Sequence, residues 1–110
     1  VLEGVSTMLN AREQIELRIQ DGLLDEDILF ADNFDEALVG LCHAFGKPTV
    51  ACYDREKCVE IIMRDSSPGN LTEEERYSDA VEYFEFNVIG SYVGEHTPVY
   101  ITRYEQESGG

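Results

Sequence analysis

Apolar residues recur every three or four positions over four stretches of this chain and alternate with polar ones over two. These spacings mark helices and half-buried strands respectively. The first helix begins at Asn10, carries Ile15 and Ile19 one turn apart with Leu17 off their stripe, and stops at Asp21-Gly22. Glycine accepts the left-handed conformation of a helix end. Residues 23–32 interleave acids with Leu and Ile and read as a loop or a short helical turn. Asn33 then predicts an N-cap, with Glu36 completing a capping-box pattern. The second helix so begun carries Phe34, Ala37, Leu38, Leu41, Cys42 and Phe45 on one stripe, and Gly46 and Pro48 end it. Residues 49–53 (TVACY) predict a strand. Asp54 caps a third helix with Cys58, Ile61 and Ile62 on its buried face. Past a turn at residues 66–70, Thr72 and Glu75 form a capping box for a fourth helix, with three acids in its first turn. Its stripe is Tyr77, Ala80, Val81, Phe84 and Val88, with Gly90 closing it. Gly90 and Gly94 permit positive φ. Residues 98–104 (PVYITRY) alternate as a second strand.

The predicted order is therefore α-α-β-α-α-β. A two-stranded ribbon is marginal in water by itself, so the helices must cover it, giving a mainly helical α+β domain over residues 10–104. Phe34, Leu38, Leu41, Val81 and Phe84 are expected in its core. Residues 1–9 read as a flexible, vector-derived leader with Met8 as a candidate start, and residues 105–110 as a flexible tail.

At 110 residues the chain fits one domain, and 43% apolar content supports a core. That core is thin, which leaves a role for a homodimer or another partner in burying more surface. Charge changes the picture most. Twenty-three acids against eight bases give a net −15, which opposes direct contact with nucleic acid or an anionic membrane surface. A basic protein surface is the natural complement. Two segments concentrate the charge. Glu13 to Glu36 holds nine acids and one base, and Glu73 to Glu85 holds six acids and one base.

Candidate chemistry is sparse. Cys42, Cys52 and Cys58 are an odd count without framework spacing, and the sequence predicts free thiols in a reducing compartment. Neither they nor His43 and His96 match a structural zinc pattern. Cys42 lacks a nucleophile motif around it. The acids from Asp25 onward fail the calcium-loop template, because Leu29 and Phe30 stand where a ligand and a glycine belong. Paired carboxylates are too abundant to mark acid–base catalysis, and no Gly-rich phosphate loop is present. The sequence thus predicts no catalytic residue, cofactor or metal. Its candidate partner-binding residues are Asp25, Glu26, Asp27, Asp32, Asp35, Glu73 and Glu74 by charge, with Phe86 and Tyr92 as aromatic anchors.

Residues 53–100 add one pointer. YDREKCVEIIMRD, a turn, and EEERYSDAVEYFEFNVIGSYVGEHTPVY resemble a family of small bacteriophage and prophage proteins of no assigned function. The turn at Ser66 to Asn70 and the Tyr77-Ser78 region depart from the usual pattern. The resemblance implies a viral origin and the cytoplasm of an infected bacterium, and it carries over no activity. The expected role is a phage accessory protein that binds a basic host protein, as a nucleic-acid-mimicking inhibitor would. The alternative is an interaction or assembly module whose acidity serves solubility. A small enzyme is the weakest of the three.

Overall fold

The computed structural model describes residues 9–66, 69–91 and 93–104. Among them are three α-helices and a three-stranded mixed sheet: α1 (Ala11–Gln20), β1 (Leu38–Cys42), β2 (Val50–Asp54), α2 (Arg55–Asp65), α3 (Glu73–Tyr83) and β3 (Val99–Ile101). The class is α+β, with one helix fewer and one strand more than the periodicity predicts.

The local signals explain most of these elements. Asn10 caps α1, accepting from the Glu13 N–H at 2.8 Å while Glu13 accepts from the Asn10 N–H at 3.1 Å. Asp54 caps α2 through the Lys57 N–H. Thr72 and Glu75 form the expected box at α3. Beyond Tyr83 the helix widens into a π-helical turn, Phe84–Ile89. There Asn87 Nδ2 donates to the Tyr83 carbonyl and the Ser91 hydroxyl donates to the Asn87 carbonyl, bonding carbonyls that the wider turn frees. Gly94 uses the freedom of glycine, with a positive φ of +112°. Gly90 does not, with φ −69°; a side chain there would meet the Phe86 carbonyl at 2.7 Å, so the need is for space.

The predicted second helix does not form. Asn33 takes φ +72° and caps nothing. A single 3-10 turn, Asp35–Ala37, follows, and residues 38–42 become β1. The reason lies in β2, whose first four residues are buried. A strand so enclosed needs backbone partners on both edges. Antiparallel β1 supplies one edge and parallel β3 the other, in the order β1-β2-β3. The two expected strands therefore do pair, as Cys52–Val99, Tyr53–Tyr100 and Asp54–Ile101. Gly40, at φ +153°, marks a register shift in β1 and would have weakened a helix at mid-length. Phe45, expected on the buried stripe, is fully exposed.

The core gathers Ile15 of α1, Ile28 and Phe34 of the acidic loop, Leu38, Ala51 and Tyr53 of the sheet, and Cys58, Val59, Ile61, Ala80 and Phe84 of the later helices. Of the five expected core residues, Phe34, Leu38 and Phe84 are buried, and Leu41 and Val81 are half-buried against them. Tyr100 of β3 stacks on Tyr53 at 5.6 Å and meets Phe84 edge-on at 5.2 Å. No helix among the described residues is long and apolar enough to cross a membrane.

Candidate functional site

Between the acidic loop, α2, α3 and the segment leading to β3 lies a cleft of about 910 Å³. Its apolar surface comes from core residues such as Phe34, Ile61, Ala80 and Tyr100. Leu29, Leu71, Tyr83 and Val93 line it as well, and these four are exposed, Tyr83 to 53% and Val93 to 60%. Exposed apolar groups gathered at one concavity mark a binding surface more strongly than the same groups scattered.

The cleft is also acidic. Asp32 from the loop, Asp65 from the end of α2 and Asp79 from α3 line it, against Arg76 as the one base among the lining residues. The fold thus brings a member of each acid-rich segment to one opening, although Asp32 and Asp79 are far apart in sequence. Arg76 is committed to the wall. It donates to the Met63 carbonyl at 2.8 Å, and its Nε–H is buried without an acceptor among the described residues. An orphan of that kind costs about 1–3 kcal/mol.

Other sequence-predicted site residues fall elsewhere. Asp25, Glu26 and Asp27 are exposed on the loop preceding the cleft. Asp35 is half-buried and ion-paired with Arg12 at 3.0 Å, so it has a structural partner. Glu73 and Glu74 are exposed in the first turn of α3, where with Tyr77 and Met63 they edge a separate hollow. Phe86 is 76% exposed and does not line the cleft. Tyr92 lies outside the described residues. The exposed aromatic side chain that does line the cleft is Tyr83, which sequence reasoning missed along with Asp65, Leu29 and Leu71. No linear pattern joins them, because they converge only when α3 docks beside α2 and the loop.

Basic side chains are mostly engaged. Arg12, Arg55, Lys57, Arg64 and Arg103 each pair with a carboxylate. Arg64 grips both oxygens of Glu36, at 2.9 and 3.2 Å, and this hydrogen-bonded pairing holds the Glu36 carboxyl below its ordinary range. Arg64 also meets Asp65 at 3.4 Å, which leaves Asp32 and Asp79 as the cleft acids without an ion pair among the described residues.

The thiols are free and apart from the cleft lining. Burial pushes Cys58 up to about 12. Burial, with a hydrogen bond to Cys42, pushes Cys52 up to about 11. Both are therefore neutral thiols near pH 7 and weak nucleophiles there. His43 meets Thr49 at 3.2 Å.

One further grouping joins distant parts of the chain. A carboxylate oxygen of Asp25, one of Asp27 and a ring nitrogen of His96 lie within 4.8 Å of one another. Asp25 also accepts from the Asp27 N–H at 2.9 Å. No family model matches this chain, and neither a curated protein nor a solved structure does so.

Proposed function

We propose that the chain is a binding module for a basic protein, and that the cleft seats an apolar anchor of that partner between flanking Lys or Arg side chains. One observation carries this reading: an apolar concavity with exposed Leu29, Leu71, Tyr83 and Val93 is bordered by Asp32, Asp65 and Asp79. Apolar burial supplies affinity there, and the acids select a cationic flank. The net −15 then acts over a longer range, steering a basic surface toward the cleft as a nucleic-acid backbone would. The resemblance of residues 53–100 to phage proteins favours a host protein as the target, in the cytoplasm of an infected bacterium. Inhibition by acidic mimicry is the corresponding role.

The test is selection from a random peptide library displayed against the protein, followed by binding kinetics of the enriched peptides. The expected peptides carry an aromatic or aliphatic anchor next to Lys or Arg. Tyr83→Ala is expected to speed dissociation. Asp32→Lys with Asp79→Lys is expected to slow association at low salt, with the difference shrinking as salt shortens the screening length to about 8 Å near physiological strength. Peptides without basic residues, or rates indifferent to all three substitutions, would return the acidity to solubility and leave an assembly module as the better reading.

A further inference from the structure

We infer that Asp25, Asp27 and His96 form a binding site for a divalent transition-metal cation, one that joins the two loops flanking the cleft. The donors come from two loops far apart in the sequence and converge within 4.8 Å. Two carboxylate oxygens and an imidazole nitrogen suit a borderline cation such as zinc, whereas calcium prefers oxygen ligands throughout. Zinc ligands held at about 2.0–2.1 Å sit roughly 3.3 Å from each other in a tetrahedron. The donors must therefore draw in from a spacing of up to 4.8 Å, and both aspartates are exposed, with solvent around them in which to move. Water would complete the coordination.

Each donor stands on a defined piece of backbone. Ile28, which follows Asp27, is 5% exposed and pins the first loop into the core. His96 projects from a turn closed by Thr97. The Thr97 N–H donates to the Gly94 carbonyl, and the Thr97 hydroxyl accepts from the Val93 N–H at 2.9 Å. His96 hydrogen-bonds neither aspartate, so the imidazole is brought to the carboxylates without being used by them. Two carboxylates also neutralise a dication, which relieves part of the local repulsion in an acidic loop. Leu29 to Phe34 on one side and Val93 and Pro98 on the other line the cleft. A cation between their neighbours therefore ties two of its walls together. The sequence hides this site, because Asp25 and Asp27 fail the calcium template and His96 lies far along the chain from both.

The experiment is calorimetric titration of the reduced full chain with zinc chloride, alongside thermal midpoints with and without zinc. Wild type is expected to bind one equivalent and to gain in midpoint, because zinc binds the folded state. His96→Ala and Asp27→Asn are each expected to weaken binding by at least about tenfold and to lose the midpoint gain. Cys42→Ser is expected to leave both unchanged, which separates this site from the thiols. The inference falls if no one-to-one binding is seen, if His96→Ala binds zinc as wild type does, if Cys42→Ser abolishes binding, or if calcium binds more tightly than zinc.

Discussion

Tyr53 and Tyr100 stack on each other, yet their hydroxyls differ in what they do. Tyr53 is 0% exposed, and its phenol oxygen accepts the Ala31 N–H at 2.7 Å, fixing the acidic loop to the sheet. Tyr53→Phe leaves that N–H without its acceptor, and a loss of about 1–3 kcal/mol is expected in urea denaturation. Tyr100 makes no such bond among the described residues, so Tyr100→Phe is expected to be close to neutral at pH 7 and to keep the ring contacts. Its effect belongs at high pH. Burial pushes the Tyr100 phenol from 10.0 up to about 12, so above pH 10 the unfolded chain has lost a proton that the folded chain retains. Stability from this group is complete below pH 10 and declines as pH rises toward 12. Cys58 adds the same sign from pH 9 upward, because burial raises it to about 12. Tyr100→Phe should therefore flatten the alkaline decline of the urea midpoint without abolishing it. An unaltered decline would remove Tyr100 from this account.

Elements were legible in the sequence where a cap and a stripe agreed. Asp54 before Cys58 and Ile61, and Thr72 with Glu75 before Ala80 and Phe84, each set a helix start that the structure reproduces. Residues 33–45 failed because their apolar spacing serves two periods. Leu38, Leu41 and Cys42 fit a helix stripe, but residues 38–42 (LVGLC) are also an unbroken short apolar run of strand length, and β2 needed an edge partner. That need is tertiary and leaves no mark on the segment itself. The cleft was illegible for a related reason, since Asp32, Asp65 and Asp79 share an opening only through the packing of three segments. Gly40 tests the account of β1. Its φ of +153° is one that side chains resist, although the space around it is open. Gly40→Ala is therefore expected to cost about 1–3 kcal/mol through backbone strain alone, seen as a lower urea midpoint. A gain in stability and in helical circular dichroism would mean that residues 33–45 can take the helical alternative.

Across the whole molecule the acids divide into those with a cationic partner and those without. Glu36 belongs to the first group, held by both terminal guanidinium nitrogens of Arg64. Glu26 and Glu82 are exposed and have no ion pair among the described residues, so at net −15 they add repulsion with little local return. Opposite signs follow for neutral substitutions at low salt. Glu26→Gln and Glu82→Gln should each add less than about 0.5 kcal/mol of stability, seen as a slightly higher thermal midpoint. Glu36→Gln should lower it, because Arg64 loses its two-pronged carboxylate partner and keeps only the longer contact with Asp65 at 3.4 Å. Salt shrinks both effects, since exposed charges are screened. Acid separates them further. The Glu36 carboxyl titrates below its ordinary value when folded, so its stabilisation is present above the unfolded value of 4.5 and is lost as pH falls through the lowered one. The gap between wild type and Glu36→Gln should accordingly close on acidification. Thermal midpoints of the three variants across a salt series and a pH series decide it. If all three substitutions raised the midpoint equally, net charge alone would govern the stability of this fold, and the pairing of Arg64 with Glu36 would add nothing to it.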